Sequence, residues 1–221
     1  MIGQQETEFV EQAFQKLKER GWFAGQELEQ STVTEDAIAA FEAKHQVALP
    51  SLYKAYLMSF RISEWNNQIM SITGAPSSRW DCRPLWLEIR GAVTMEELEK
   101  WIDLLLDIRK FCNVPKESFR YLSPSGFWGA GWGPLCMDLS MPEDKVDPEN
   151  AHTWSVVWFD HEDFEWEKSY LGEDGLLHGK PAAPDFKTLL EWYFYGSREA
   201  EFEKATGVKP TYEWYQSGAD F

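Results

Sequence analysis

One proline limits what the middle of this chain can become. From Thr34 to Leu57 the sequence runs as two short amphipathic segments joined at Leu49-Pro50. Proline has no backbone N–H and its ring clashes with the preceding turn, so a single helix cannot run through it, but its fixed φ suits the opening of a new one. Thr34 can cap the first helix, Glu35 and Asp36 complement the positive end of its dipole, and Ile38, Phe41, Glu42 and His45 follow at helical spacing. In the second helix Leu49, Tyr53, Tyr56, Leu57 and Phe60 make one apolar face. The block therefore predicts a helix pair that needs a sheet to pack on.

The remaining patterns supply that sheet. Gln4 to Lys18 carries Phe9, Val10, Ala13, Phe14 and Leu17 on one helical stripe that ends toward Gly21. Gln68 to Thr73 and Leu85 to Arg90 read as strands, the second with strict alternation. Thr94-Met95-Glu96-Glu97 is a capping box that starts a helix to Phe111. Phe119 to Leu122 and Leu135 to Leu139 read as short strands on either side of a glycine-rich loop, Ser125 to Gly133. Thr153 to Phe159 is the strongest strand, and Phe164 to Tyr170 is expected to return antiparallel to it. Gly172 to Gly175 is a turn, Asp185 caps a helix from Phe186 that Gly196 ends, and Ser197 caps a more polar helix up to Gly207. The expected class is a single α+β domain: a mainly antiparallel sheet with an N-terminal helix pair and C-terminal helices around it. Its parts are a helical extension over 1–33, an α+β body over 34–196, and a helix and tail over 197–221 within the same globular unit.

Charge narrows the partners. Of 221 residues, 37 are acidic and 21 basic, a net charge of −16. A nucleic-acid duplex carries one negative charge per ~1.7 Å of axis, and the basic residues here are scattered, so nucleic acid and anionic membranes are poor partners. A basic protein is the favourable one. No apolar run approaches the roughly 18 residues of a membrane span. The first residues lack a basic region followed by an apolar stretch, and the three cysteines, Cys82, Cys112 and Cys136, are widely spaced and odd in number. These features predict a soluble, reduced, cytoplasmic protein.

Few groupings carry chemistry. Asp160-His161-Glu162-Asp163 with Glu165 is the densest set of metal-ligating or acid–base groups, but no spacing gathers them on one side of an element. A solvated strand end or an acidic partner-binding patch is the preferred reading. Cys136 lies in an apolar strand and reads as core. The glycine-rich loop lacks the spacing of a phosphate loop, and its glycines instead leave room for Trp128 and Trp132. No catalytic residue, metal or cofactor is expected.

The block from Thr34 to Leu57 resembles the opening motif of the SUKH superfamily, which reads as an Ile, then Phe-Glu, then Leu-Pro and a Tyr before a closing Leu. Ile38, Phe41, Glu42, Leu49, Pro50, Tyr53 and Leu57 hold those places. Gly131-Trp132, Leu135 to Leu139, Thr153 to Phe159 and Phe186 to Trp192 follow in the order of the family's later strands and last helix. The family's Asn-Gly after the second helix is replaced by Ser59 to Trp65, and the helix near 96–111 lies outside the simple pattern, so the chain is identified as a divergent or enlarged member. The resemblance implies a non-enzymatic immunity protein that neutralises a bacterial toxin, such as a basic nuclease, by stoichiometric binding. Asp160, Glu162, Asp163 and Glu165 would supply charge and Trp128 and Trp132 would anchor the partner. The alternatives are an intracellular regulatory scaffold resembling the yeast glucan-synthesis regulator, and a metal-dependent hydrolase built on Asp160 to Asp163.

Overall fold

The computed structural model describes residues 3–20, 28–61, 68–72, 85–89, 94–119, 122–129, 133–138, 155–160, 162–197, 200, 204 and 212–214. Its first helix, α1 (Gln4–Glu19), buries Val10, Ala13, Phe14 and Leu17 of the predicted stripe completely and leaves Phe9 half-buried against the same core. A two-residue strand, β1 (Glu29–Gln30), pairs with β2 (Phe60–Arg61) and clips the entry of the helix pair to its exit.

The pair itself is α2 (Glu35–His45) and α3 (Ser51–Ser59). Thr34 caps α2, its hydroxyl accepting from the Ala37 amide at 3.2 Å. Gln46 ends α2 in the left-handed region at φ 54°. Pro50 stands at the N-cap of α3, one residue before the first helical position expected for it, and its carbonyl accepts the Lys54 amide. Leu49, Tyr53, Tyr56 and Leu57 are all buried, while Phe60 packs half-buried against them.

A seven-stranded sheet supports the helices. It comprises β3 (Gln68–Ile72), β4 (Leu85–Ile89), β5 (Leu122–Gly129), β6 (Gly133–Asp138), β7 (Val156–Trp158), β8 (Lys180–Ala183) and β9 (Tyr212–Trp214). The spatial order is β8-β7-β6-β5-β4-β3-β9, with every neighbouring pair antiparallel. This is the expected α+β architecture. Helix α4 (Met95–Phe111), capped by Thr94 Oγ1 on the Glu97 amide at 3.2 Å, connects β4 to β5 and packs on β5. Helix α6 (Phe186–Tyr193) follows β8, with Asp185 accepting from the Thr188 amide at 2.6 Å.

Three expectations change. Phe119 closes a 3-10 turn, Lys116–Phe119, where a strand from Phe119 to Leu122 was expected, and the strand begins only at Leu122. The run from Ser125 is not an irregular loop: β5 extends through it to Gly129 and hairpins onto β6, so the backbone of Trp128 lies in a strand opposite Pro134. Its register shifts between Pro124 and Trp128, where proline and glycine weaken regular pairing. Phe164 to Tyr170 does not form a strand. Trp166–Ser169 is one helical turn, α5, because Trp166 is drawn inward and leaves no alternating edge. Trp132, Thr153, Trp154, His161 and most of the segment after Ser197 lie outside the described residues.

Strand alternation divides the core. Leu135 and Met137 of β6 and Val156 of β7 face the main cluster with α1, α2, α3 and α6, where Phe14, Tyr53, Tyr56, Phe186 and Phe194 stack or meet edge to face. Cys136 and Val157 point the other way, into a smaller cluster with Cys112, Val114, Phe159, Trp166, Tyr170 and Leu177. The second cluster positions the candidate site. No helix among the described residues is long and apolar enough to cross a membrane.

Candidate partner-binding site

The link between β7 and α5 contains Asp160, Glu162, Asp163 and Glu165, all four acidic residues singled out in the sequence. It is a built loop. The Asp160 carboxylate accepts the Glu162 amide at 3.0 Å and the Asp163 carboxylate accepts the Glu165 amide at 2.9 Å, two Asx turns in succession. The Asp163 amide donates to the Asp160 carbonyl at 3.3 Å. From below, Trp166 Nε1 donates to the same carbonyl at 2.9 Å, and the Asp160 amide donates to the Tyr170 hydroxyl at 3.0 Å.

Those two anchors are themselves fixed. Trp166 is fully buried, stacked on Phe159 with ring centres 4.9 Å apart and set edge to face with Tyr170 at 5.8 Å. Burial pushes the Tyr170 phenol up to about 12, so it stays protonated and acts as a neutral hydrogen-bonding group. The loop thus rests on an aromatic platform whose polar edges hold its backbone.

At the crest sits Phe164, the exposed large hydrophobic side chain among the described residues, with 70% of its surface accessible. Glu162, two residues before it, and Glu165, the next residue, are exposed as well, while Asp160 and Asp163 are half-buried. The Asp163 carboxyl is held below its ordinary value, first by a hydrogen bond from the Ser169 side chain, then by the Glu165 amide, with the Lys180 charge adding to both. It remains ionised at neutral pH. Glu165 also pairs with Lys168 one turn on.

The structure therefore places an exposed apolar side chain within the acidic segment, which sequence reasoning missed. Phe164 read as the first residue of a strand, and a four-residue helix is too short to show a helical period. The usable signal was the doubled Asp-x-Glu spacing, Asp160-His161-Glu162 and Asp163-Phe164-Glu165, which is the spacing of side chains that close turns on the amide two residues on. Of the two proposed tryptophan anchors, Trp128 has its backbone in β5 opposite Glu88 and Pro134, and Trp132 lies outside the described residues.

Several other groups with chemical potential have structural partners. Among the described residues no three His, Cys, Asp or Glu side chains converge as a metal ion requires. One oxygen of Asp160 and one of Asp163 already serve backbone amides. Burial raises both Cys112 and Cys136, away from the thiolate a nucleophile needs, and the Cys112 thiol points to the Asp163 carbonyl at 3.7 Å. His45 bonds Glu99 and His178 bonds Asp174, each at 3.0 Å. A surface cavity of about 240 Å³ between α1, α2 and α3, lined by residues including Glu11, Gln30 and Glu35, is smaller than the roughly 300 Å³ of small-molecule sites. A wider depression of about 540 Å³ is lined by Gly3, Gln4, Gln5, Glu6 and Glu8, at the start of α1. No protein-family model matches the chain, and no curated protein matches it.

Proposed function

We propose that this chain is a non-enzymatic binding protein that docks a basic protein through the loop from Asp160 to Glu165, and that its partner is a bacterial toxin domain it neutralises by stoichiometric blocking. The observation that carries the reading is Phe164, an exposed aromatic ring set among carboxylates on a loop already held in shape. An exposed aromatic side chain with polar neighbours can serve as the apolar centre of an interface with a polar rim, and a preorganised loop loses little conformational entropy on docking. The net charge of −16 makes long-range attraction to a basic surface favourable. A toxin that grips nucleic acid presents such a surface, and its active groove is what an acidic loop would cover. The resemblance of Thr34 to Leu57 to the SUKH opening motif supports the immunity role.

Co-expression with a basic toxin domain encoded beside this chain is the test. Growth is expected to be restored by the natural chain and lost with Phe164→Ala or with Glu162→Gln and Glu165→Gln together. Binding that weakens steeply with salt is expected as well. A complex that forms without rescue favours the regulatory-scaffold reading, and rescue indifferent to all three substitutions removes the loop from the interface.

A further inference from the structure

Lys180 opens the edge strand β8 and stands opposite Trp158 of β7 in the register. Its ammonium nitrogen lies 4.7 Å from the centre of the Trp158 ring and 5.7 Å from that of Tyr170. Both distances fall inside the ~6 Å over which a ring face attracts a cation. The same charge acts on Asp163, beside Phe164. Two aromatic rings thus share one ammonium group, delivered by an exposed side chain on a flexible four-carbon stem, and its charge reaches the Asp163 carboxylate as well.

We propose that this is a cation seat which Lys180 fills in the free protein and which a lysine or arginine side chain of the basic partner takes over on docking. The inference rests on the reading of the chain as a binder of a basic protein, and it names how one cation of that partner is recognised. The exchange keeps the rings and the carboxylate supplied with positive charge throughout, so it leaves no buried group uncompensated. A guanidinium gains further, because its planar face stacks on an indole where an ammonium cannot. Until the partner arrives, Lys180 lies over the Trp158 face and its charge acts on Asp163.

Acetyl-hexa-arginine amide, titrated calorimetrically into the full chain at low salt, serves as the probe. Lys180→Ala empties the seat and is expected to tighten binding by roughly two- to fivefold, the worth of one exposed cation–π contact, over and above the change from Lys16→Ala. Lys16 pairs with Glu19 on α1 and removes an equal charge elsewhere. Trp158→Leu is expected to abolish the extra gain, and Trp158→Phe, which keeps the half-buried position filled, to retain only part of it. Equal effects of Lys180→Ala and Lys16→Ala, or a gain that survives loss of the Trp158 ring, overturn the seat. If that happens while Asp163→Asn and Glu165→Gln still weaken the peptide, the docking loop stands and the seat alone fails. Binding that responds to none of these substitutions, or no binding at all, overturns both.

Discussion

The Leu49 amide donates to the Glu42 carboxylate at 2.6 Å, across the turn that joins α2 to α3. The same carboxylate oxygen meets Lys54 Nζ at 2.7 Å. One side chain near the end of the first helix therefore holds both the residue before Pro50 and the first turn of the second helix. This links Phe41-Glu42 to Leu49-Pro50 across the turn. Glu42→Ala leaves the Leu49 N–H without its acceptor and should cost roughly 1–3 kcal/mol, read as a lower urea midpoint with an unchanged slope. Glu42→Gln keeps an acceptor oxygen and should cost less. A Lys54→Ala loss as large as that of Glu42→Ala would show that the ion pair, not the amide bond, is what matters.

Arg20 joins α1 to the end of α6 in a similar way. Its guanidinium, just past α1, donates to the carbonyls of Tyr193 and Phe194 at 2.9 and 2.7 Å, satisfying the C-terminal end of α6. Burial lowers its pKa to about 10, still far above neutrality. Gly196 closes over this contact at φ 71°, and a Cβ there would stand 2.5 Å from the guanidinium carbon. Gly175 has a similar φ of 76° but nothing within 4 Å of a Cβ. Gly175→Ala should therefore show only the left-handed backbone cost of about 1–2 kcal/mol, whereas Gly196→Ala should add the loss of the Arg20 bonds. Urea midpoints of the two variants decide this, and equal losses would remove the Arg20 contribution.

Much of the fold was legible because its signals are local. Thr34, Thr94 and Asp185 each cap the helix they were expected to cap, and the stripe from Val10 to Leu17 faces the core as its spacing required. What sequence could not show were contacts made at long range or over too few residues. Glu42 was readable as a motif position, but its bond to Leu49 depends on the angle between two helices. Phe164, Glu165 and Trp166 alternate like a strand, yet the hydrogen bond from Trp166 to the Asp160 carbonyl and its stack on Phe159 turn the segment into a loop and one helical turn. Local pattern yields there to the burial of one large ring.

Acidification should loosen the contact between α2 and α4. Burial alone would raise the Glu99 carboxyl, but hydrogen bonds from Lys44 and His45, with their charges, outweigh it and leave the group below its ordinary value. A depressed carboxyl contributes stability that is present above its unfolded value, about 4.3, and lost as pH falls through the lower folded one. The Asp163 carboxyl is also depressed and should act in the same sense. Glu99→Gln is expected to flatten the fall in urea midpoint below about pH 4.5 while lowering the midpoint at pH 7. A variant that loses stability equally at pH 7 and pH 3 would contradict this linkage.

The docking loop separates stability from binding in two adjacent positions. Phe164→Ala removes a ring that is 70% exposed, so stability should stay within about 0.5 kcal/mol of the natural chain while partner binding falls. Trp166→Phe does the opposite in kind: the ring stack on Phe159 can persist, but the Nε1–H that holds the Asp160 carbonyl is gone. It should cost roughly 1–3 kcal/mol, and faster exchange of the Glu162 and Glu165 amides should follow, because their acceptors Asp160 and Asp163 lie in the segment that bond restrains. Hydrogen exchange resolved by residue tests the link directly. Protection at Glu162 and Glu165 that is unchanged in Trp166→Phe would mean the two Asx turns hold the loop by themselves, and that the aromatic platform beneath it is core packing alone.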